Sequence, residues 1–210
     1  MASKQKSKHS VPDHPTADLI RKHLDRVAQN ERYAVNRRAV ESVFKRYPKN
    51  TSREDILIKA CVLNALYSTN VGSLHKVADH ILAVEFDEHL KEGNKDVVNK
   101  IAKVNLGDEK SRNFYSFASK YCHFHNPDFP IYDYFVCEVL ARYQLKDFFT
   151  EKQSRALTAF KKQIKEYPVF CDALGAFVSR YDLKFSLKEI DQFLWNYGKE
   201  LYPRHYGKKE

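Results

Sequence analysis

The chain has 210 residues, 36 Lys plus Arg against 27 Asp plus Glu, and a formal net charge of +9. Hydrophobic residues make up 43%, enough to bury one core or two small ones, which excludes wholesale disorder. Six glycines and seven prolines are too few for a many-hairpin sandwich or barrel, and no window approaches the ~18 uncharged apolar residues of a membrane-crossing helix.

Residues 1 to 15 read as a disordered basic arm, because Lys4, Lys6 and Lys8 sit among small polar residues and Pro12 and Pro15 block an early helix. The stretch has no apolar run and is not expected to be a secretory signal. From Thr16 the pattern is helical, with Leu19, Ile20, Leu24 and Val27, then Val35, Ala39, Val43, Phe44 and Tyr47, before Pro48. Thr51 and Glu54 have capping-box spacing for the next helix. That helix, Ile56 to Leu66, is apolar on nearly every face and is expected at the centre of a domain. The loop YSTN follows, and VGSLHKVADHILAVEF opens another helix. Residues 94 to 104 predict a short helix, capped through Asn105-Leu106-Gly107 by a left-handed glycine. A helix over 110–124, one from Ile131 to about Tyr143, and three over 151–166, 168–181 and 186–201 complete the chain. No strand is predicted. The expectation is one all-α domain over residues 16–210, with two helical lobes.

Cys61, Cys122, Cys137 and Cys171 are widely spaced and contain no CxxC pair, so free thiols in a reducing, cytoplasmic setting are expected. The positive balance points to a polyanionic partner, although a basic protein without one has the same composition.

Phe114 to Phe135 is the most informative stretch, with nine aromatic residues among 22. Lys120, His123, His125, Asn126 and Asp133 are interleaved with them. Rings and cations together suit stacking on bases and contact with phosphates, while several of the rings also suit a core. Cys122, His123 and His125 do not have the spacing of a common zinc site, and no metal is expected. Asp133 follows Pro130 at a helix start, where free N–H groups hold a carboxylate ionised. Such a group caps a helix, or it faces the cation that develops on a sugar as an N-glycosidic bond breaks.

Phe129-Pro130-Ile131-Tyr132-Asp133-Tyr134-Phe135-Val136 resembles the catalytic-Asp segment of helix-hairpin-helix DNA glycosylases, closest to the adenine DNA glycosylase and endonuclease III branch. Leu66-Tyr67-Ser68-Thr69-Asn70-Val71 is similar to that family's turn after the central helix, where polar residues enter DNA. The family's Gly-x-Gly hairpin is reduced here to NLGDEKS with the single Gly107, and its iron–sulfur cysteines are absent. The resemblance implies a glycosylase-type helical fold without a cofactor. It also implies a DNA glycosylase that flips a modified or damaged base from double-stranded DNA and leaves an abasic site.

On this resemblance Asp133 is the catalytic carboxylate, and Lys120 or Lys110 the amine of a bifunctional member. Tyr67, Ser68, Asn70, Lys103, Asn105, Gly107, Lys110 and Arg112 would contact DNA, with Lys95 and Lys100 adding to the phosphate grip. Tyr121, His123, His125 and Tyr132 would line the base pocket. The chain is expected to act as a monomer without a membrane partner, in base repair or in attack on modified phage DNA. A non-catalytic helical DNA- or RNA-binding protein fits the same charge and aromatic pattern, and a helical adaptor fits the helices alone.

Overall fold

The computed structural model describes residues 13–107, 111–145 and 153–203. Their helices are α1 Ala17–Ala28, α2 Glu31–Arg46, α3 Arg53–Tyr67, α4 Leu74–Ala83, α5 Phe86–Lys91, α6 Asp96–Ala102, α7 Tyr115–His125, α8 Tyr134–Gln144, α9 Gln153–Gln163, α10 Tyr167–Arg180 and α11 Leu187–Leu201. Two short strands, β1 Lys103–Asn105 and β2 Ser111–Asn113, stand between α6 and α7. The protein is mostly helical, and it divides into two compact units: residues 30–132 with 165–168, and residues 1–29, 133–164 and 169–210.

The continuous unit is built around α3, which packs on α2, α4 and α7. Ile56, Ala60 and Leu63 are wholly enclosed, and fully burying such aliphatic side chains contributes roughly 1.5–3 kcal/mol each. The helix is more one-sided than its apolar sequence implies, since Ile58 is 40% exposed and Cys61 faces solvent. Its N-cap is Ser52, whose hydroxyl accepts the Asp55 N–H, one residue beyond the expected Thr51. The helix expected after residue 71 breaks into α4 and α5, because Glu85 adopts a left-handed φ of 51°.

The hairpin corrects the expectation of no strand and of a helix capped through Gly107. Helix α6 stops at Ala102, whose carbonyl accepts the Phe114 N–H at 2.8 Å. Lys103 then pairs with Asn113, Val104 with Arg112 and Asn105 with Ser111 in antiparallel register. Gly107 serves the hairpin turn, with φ +88°. Only Val104 is buried in the pair. Two three-residue strands with one inward side chain hold too little alternation to announce themselves in sequence.

In the other unit, α11 packs on α1 and α8. Ile190, Phe193, Leu194, Tyr197 and Leu201 form its inner stripe, and a reciprocal Ser186–Glu189 capping box opens it. Gly198 lets α8 approach: a Cβ there would stand 2.7 Å from the Phe135 carbonyl oxygen. Glu138 is buried between Arg142 and Lys161, and the Arg142 guanidinium lies 4.1 Å from the Tyr202 ring centre. Burial alone would raise the Glu138 carboxyl, but the hydrogen bonds and charges of Lys161 and Arg142 hold it below the ordinary carboxylate range.

The expected basic arm is shortened at its inner end. Asp13 donates its N–H to the Tyr197 hydroxyl at 2.9 Å, and its carbonyl accepts from Tyr143 at 2.8 Å. Residues 1 to 12 lie outside the described residues. Among the described residues, no helix is long and apolar enough to cross a membrane.

Candidate functional site

The loop after α3 is held by one side chain. Asn64 Oδ1 accepts the Val71 N–H at 2.9 Å and the Thr69 hydroxyl at 2.8 Å, while its Nδ2 donates to the Val71 carbonyl at 3.1 Å. Within this brace Ser68 and Asn70 both take left-handed backbones, at φ 50° and 55°. Non-glycine residues in that region are uncommon and concentrate at functional loops. Both side chains are exposed, and Tyr67 is half-buried with its ring 5.4 Å from that of Phe124.

Helix α4 begins where this loop ends, and β1 packs on it. Lys76, in its first turn, donates to the Leu106 carbonyl at the hairpin turn. The loop, braced to α3 through Asn64, thus runs straight into α4, the helix on which the hairpin packs. Lys103, Asn105, Gly107 and Arg112 are exposed on the hairpin. Lys110 lies outside the described residues. Lys95 is turned onto its own unit, 3.8 Å from the Phe129 ring centre and donating to the Asp128 carbonyl at 2.6 Å. Lys100 is exposed and stands 3.1 Å from His89 Nε2.

Lys120 is 5% exposed on α7, and its ammonium donates to Ser116 Oγ at 2.7 Å. Its chain neighbour Ser119 accepts the Tyr132 N–H at 3.0 Å, with the Tyr132 carbonyl 3.3 Å from the same hydroxyl. Tyr132 is half-buried against Tyr115, ring centres 4.3 Å apart, and precedes Asp133 in the chain. Asp133 belongs to the other unit. It is the N-cap of α8 rather than a first-turn residue, with an extended backbone and Oδ1 accepting the Phe135 N–H at 3.0 Å.

Burial corrects the expected base pocket at two positions. Tyr121 has no exposed surface, and its hydroxyl donates to Asn50 Oδ1 at 2.6 Å. His123 is 4% exposed, with Nδ1 2.9 Å from the Phe129 carbonyl. Neither can form the wall of an open cavity within its unit. His125 does line a cleft, together with Pro48, Lys49, Asp87, Glu88 and Lys91 among others, of about 560 Å³.

Behind that cleft lies a polar network that the sequence reading missed. Lys59 is wholly buried in α3, and its Nζ donates to the Lys49 carbonyl at 2.8 Å and Asn50 Oδ1 at 2.7 Å, with His125 Nε2 at 3.4 Å. Asn50 donates its N–H and its Nδ2 to the two oxygens of Asp87, at 2.8 and 2.6 Å. Burial pushes the Lys59 ammonium down to about 8 against the pull of Asp87 and Asp55. Burial and then the Lys59 charge push His125 down to about 3. A lysine inside ILIKACVLNAL was the one available signal. Among the described residues, no group of three or more His, Cys, Asp or Glu side chains is placed to hold a metal ion.

The profile of the HI_0787_N family, described as an N-terminal domain, matches residues 19–129. An uncharacterized protein of Haemophilus influenzae is 40% identical over 158 residues, covering 74% of this chain and 72% of that protein. The chain belongs to this family. The profile match takes in the braced loop, the hairpin, Lys120 and the Lys59 network, and ends before Asp133. No solved structure matches the chain.

Proposed function

We propose that the protein is a DNA glycosylase of the helix-hairpin-helix type, which releases a flipped-out modified base and leaves an abasic site. The observation that carries this reading is the Asn64-braced loop with Ser68 and Asn70 in left-handed conformations, which leads into the helix that carries a hairpin bearing Lys103, Asn105 and Arg112. A rigid exposed loop suits entry into a duplex at the target pair, and neighbouring cations suit the flanking phosphates. The β-hairpin occupies the place in the chain where the resembled family has its Gly-rich hairpin.

In this reading Asp133 faces the positive charge that builds on the deoxyribose as its C1′–N bond lengthens. The base departs with the bonding electrons and takes up a proton. Water adds to C1′ and gives its own proton to a base such as Asp133. Attack by the Lys120 amine in place of water would form a Schiff base and open a route to strand nicking, with Lys110 as the alternative amine.

The test is base release from duplexes carrying a panel of modified bases, read by mass spectrometry. Asp133→Asn keeps a good N-cap while deleting the charge, so the fold stays and release should fall by orders of magnitude. Full release by a folded Asp133→Asn protein, or none from any duplex by the wild type, refutes the proposal. Borohydride trapping with Lys120→Ala and Lys110→Ala identifies an amine, if one reacts.

A second reading, a non-catalytic helical DNA- or RNA-binding protein, is favoured by one observation: Asp133 already has a structural task at Phe135 N–H. It predicts nucleic-acid binding without base release, and Asp133→Asn would leave that binding intact.

A further inference from the structure

The cleft at His125 offers a ligand mostly donors, and hydrogen-bond accounting shows why. Lys59 has three N–H groups and three acceptors around it: the Lys49 carbonyl, Asn50 Oδ1 and His125 Nε2. Asn50 Nδ2 also lies 3.2 Å from that same Nε2. Two donors converge on Nε2, so it carries the lone pair and the proton resides on Nδ1. Nδ1 makes no hydrogen bond among the described residues and is not a buried orphan. Both Asp87 oxygens are engaged by Asn50, and Asn126 Oδ1 accepts the Asp128 N–H at 2.9 Å, which leaves the Asn126 Nδ2 donors. Lys49 and Lys91 add ammonium groups at the rim, beside two carboxylates, Glu88 and the Asn50-held Asp87. Pro48, Leu90 and Pro127 give the cleft apolar wall.

We propose that this cleft binds a small phosphate monoester whose body also carries a hydroxyl or amino group, with the phosphate at His125 Nδ1–H, Asn126 and the two lysines and the body's donor at Glu88. A volume of about 560 Å³ is within the ordinary range for small-molecule sites. The site does not depend on the glycosylase reading. Lys59 supports it from behind: burial first and the Lys59 charge second keep His125 neutral, and the Lys59 and Asn50 donors at Nε2 fix which ring nitrogen donates.

The experiment titrates the 210-residue chain, with ¹⁵N-labelled histidine, against inorganic phosphate, adenosine monophosphate and a short DNA duplex in parallel. Three results are expected. His125 shows the Nδ1–H tautomer, both small probes shift it saturably, and the monophosphate binds more tightly than phosphate. The exposed double variant Lys49→Glu/Lys91→Glu should lose at least tenfold in affinity at unchanged melting temperature. Glu88→Ala should erase the advantage of the monophosphate over phosphate. An Nε2–H tautomer, no saturable shift at millimolar probe, equal binding by the double variant, or a shift with the duplex alone overturns the proposal.

Discussion

Changing pH away from neutrality acts on Lys59 and His125 in ways the network makes calculable. His125 titrates at about 3 in the native state against 6.5 for an ordinary histidine. As pH falls below the ordinary value, the unfolded chain takes up a proton that the folded one refuses, so stability drops. At about 1.4 kcal/mol per pH unit, a descent to pH ~5 removes about 2 kcal/mol. His23, whose pKa burial also lowers, adds to the loss with the same sign. On the alkaline side Lys59 titrates at about 8 against 10.5. Between these values the unfolded chain holds more protons than the folded one, so stability rises with pH. The rise is about 2 kcal/mol by pH ~9.5, less whatever solvent screening through the cleft removes. Tyr121, raised by burial, reverses the trend above pH ~10, where unfolded tyrosines ionise and it does not. Urea denaturation across pH ~5 to ~9.5 reads the curve. His125→Gln should flatten the acid limb and Lys59→Met the alkaline one. A Lys59 side chain titrating near its ordinary value by NMR, or variant curves parallel to the wild type, would refute the reasoning.

Gly198→Ala should destabilise by up to about 2 kcal/mol, because overpacking costs about 1–3 kcal/mol and improved helix propensity returns about 1; a raised melting temperature would deny the close approach of α8 and α11. Glu138→Ala takes the carboxylate away from the buried Arg142 and the half-buried Lys161, so chemical denaturation should show a loss of about 3 kcal/mol. Asn64→Ala removes three hydrogen bonds, each worth about 0.5–1.5 kcal/mol. Its clearest readout is amide exchange at Val71, which should accelerate strongly; unaltered protection there would mean the loop holds without its brace.

Helices were legible where apolar residues recurred at helical spacing, as from Leu19 to Val27 and over 186–201, and the cap read at Thr51 fell one residue short of Ser52. Boundaries moved where local backbone chemistry intervened. Glu85 cut one predicted helix in two, and the hairpin pairing of Lys103 to Asn105 ended α6 before Gly107. Of the candidate site, the exposure of Ser68, Asn70, Lys103 and Arg112 follows from their polarity, whereas the Asn64 brace and the hairpin pairing that position them left no signal in the sequence. The Lys59 network could not, since its members come from α3, the loop before it, α5 and the end of α7, and a buried ammonium is recognised only by the acceptors that surround it. Tyr121 and His123 looked like pocket walls for the converse reason: an aromatic or imidazole ring in a helix reads the same whether it faces a cavity or a neighbouring carbonyl.

Helix α1 and helix α11 stand at opposite extremities of the described chain, and Asp13 meets Tyr197 across 184 positions. During synthesis at about 5–20 residues per second, some 10–40 s separate the emergence of these partners. Residues 30 to 132, one uninterrupted stretch, can condense meanwhile, whereas α1, with its apolar Ile20 and Val27, waits for its packing partner α11. A nascent chain stalled anywhere before Leu187 would thus display a persistent greasy N-terminal helix, a natural handle for chaperones and a vulnerable point for proteases.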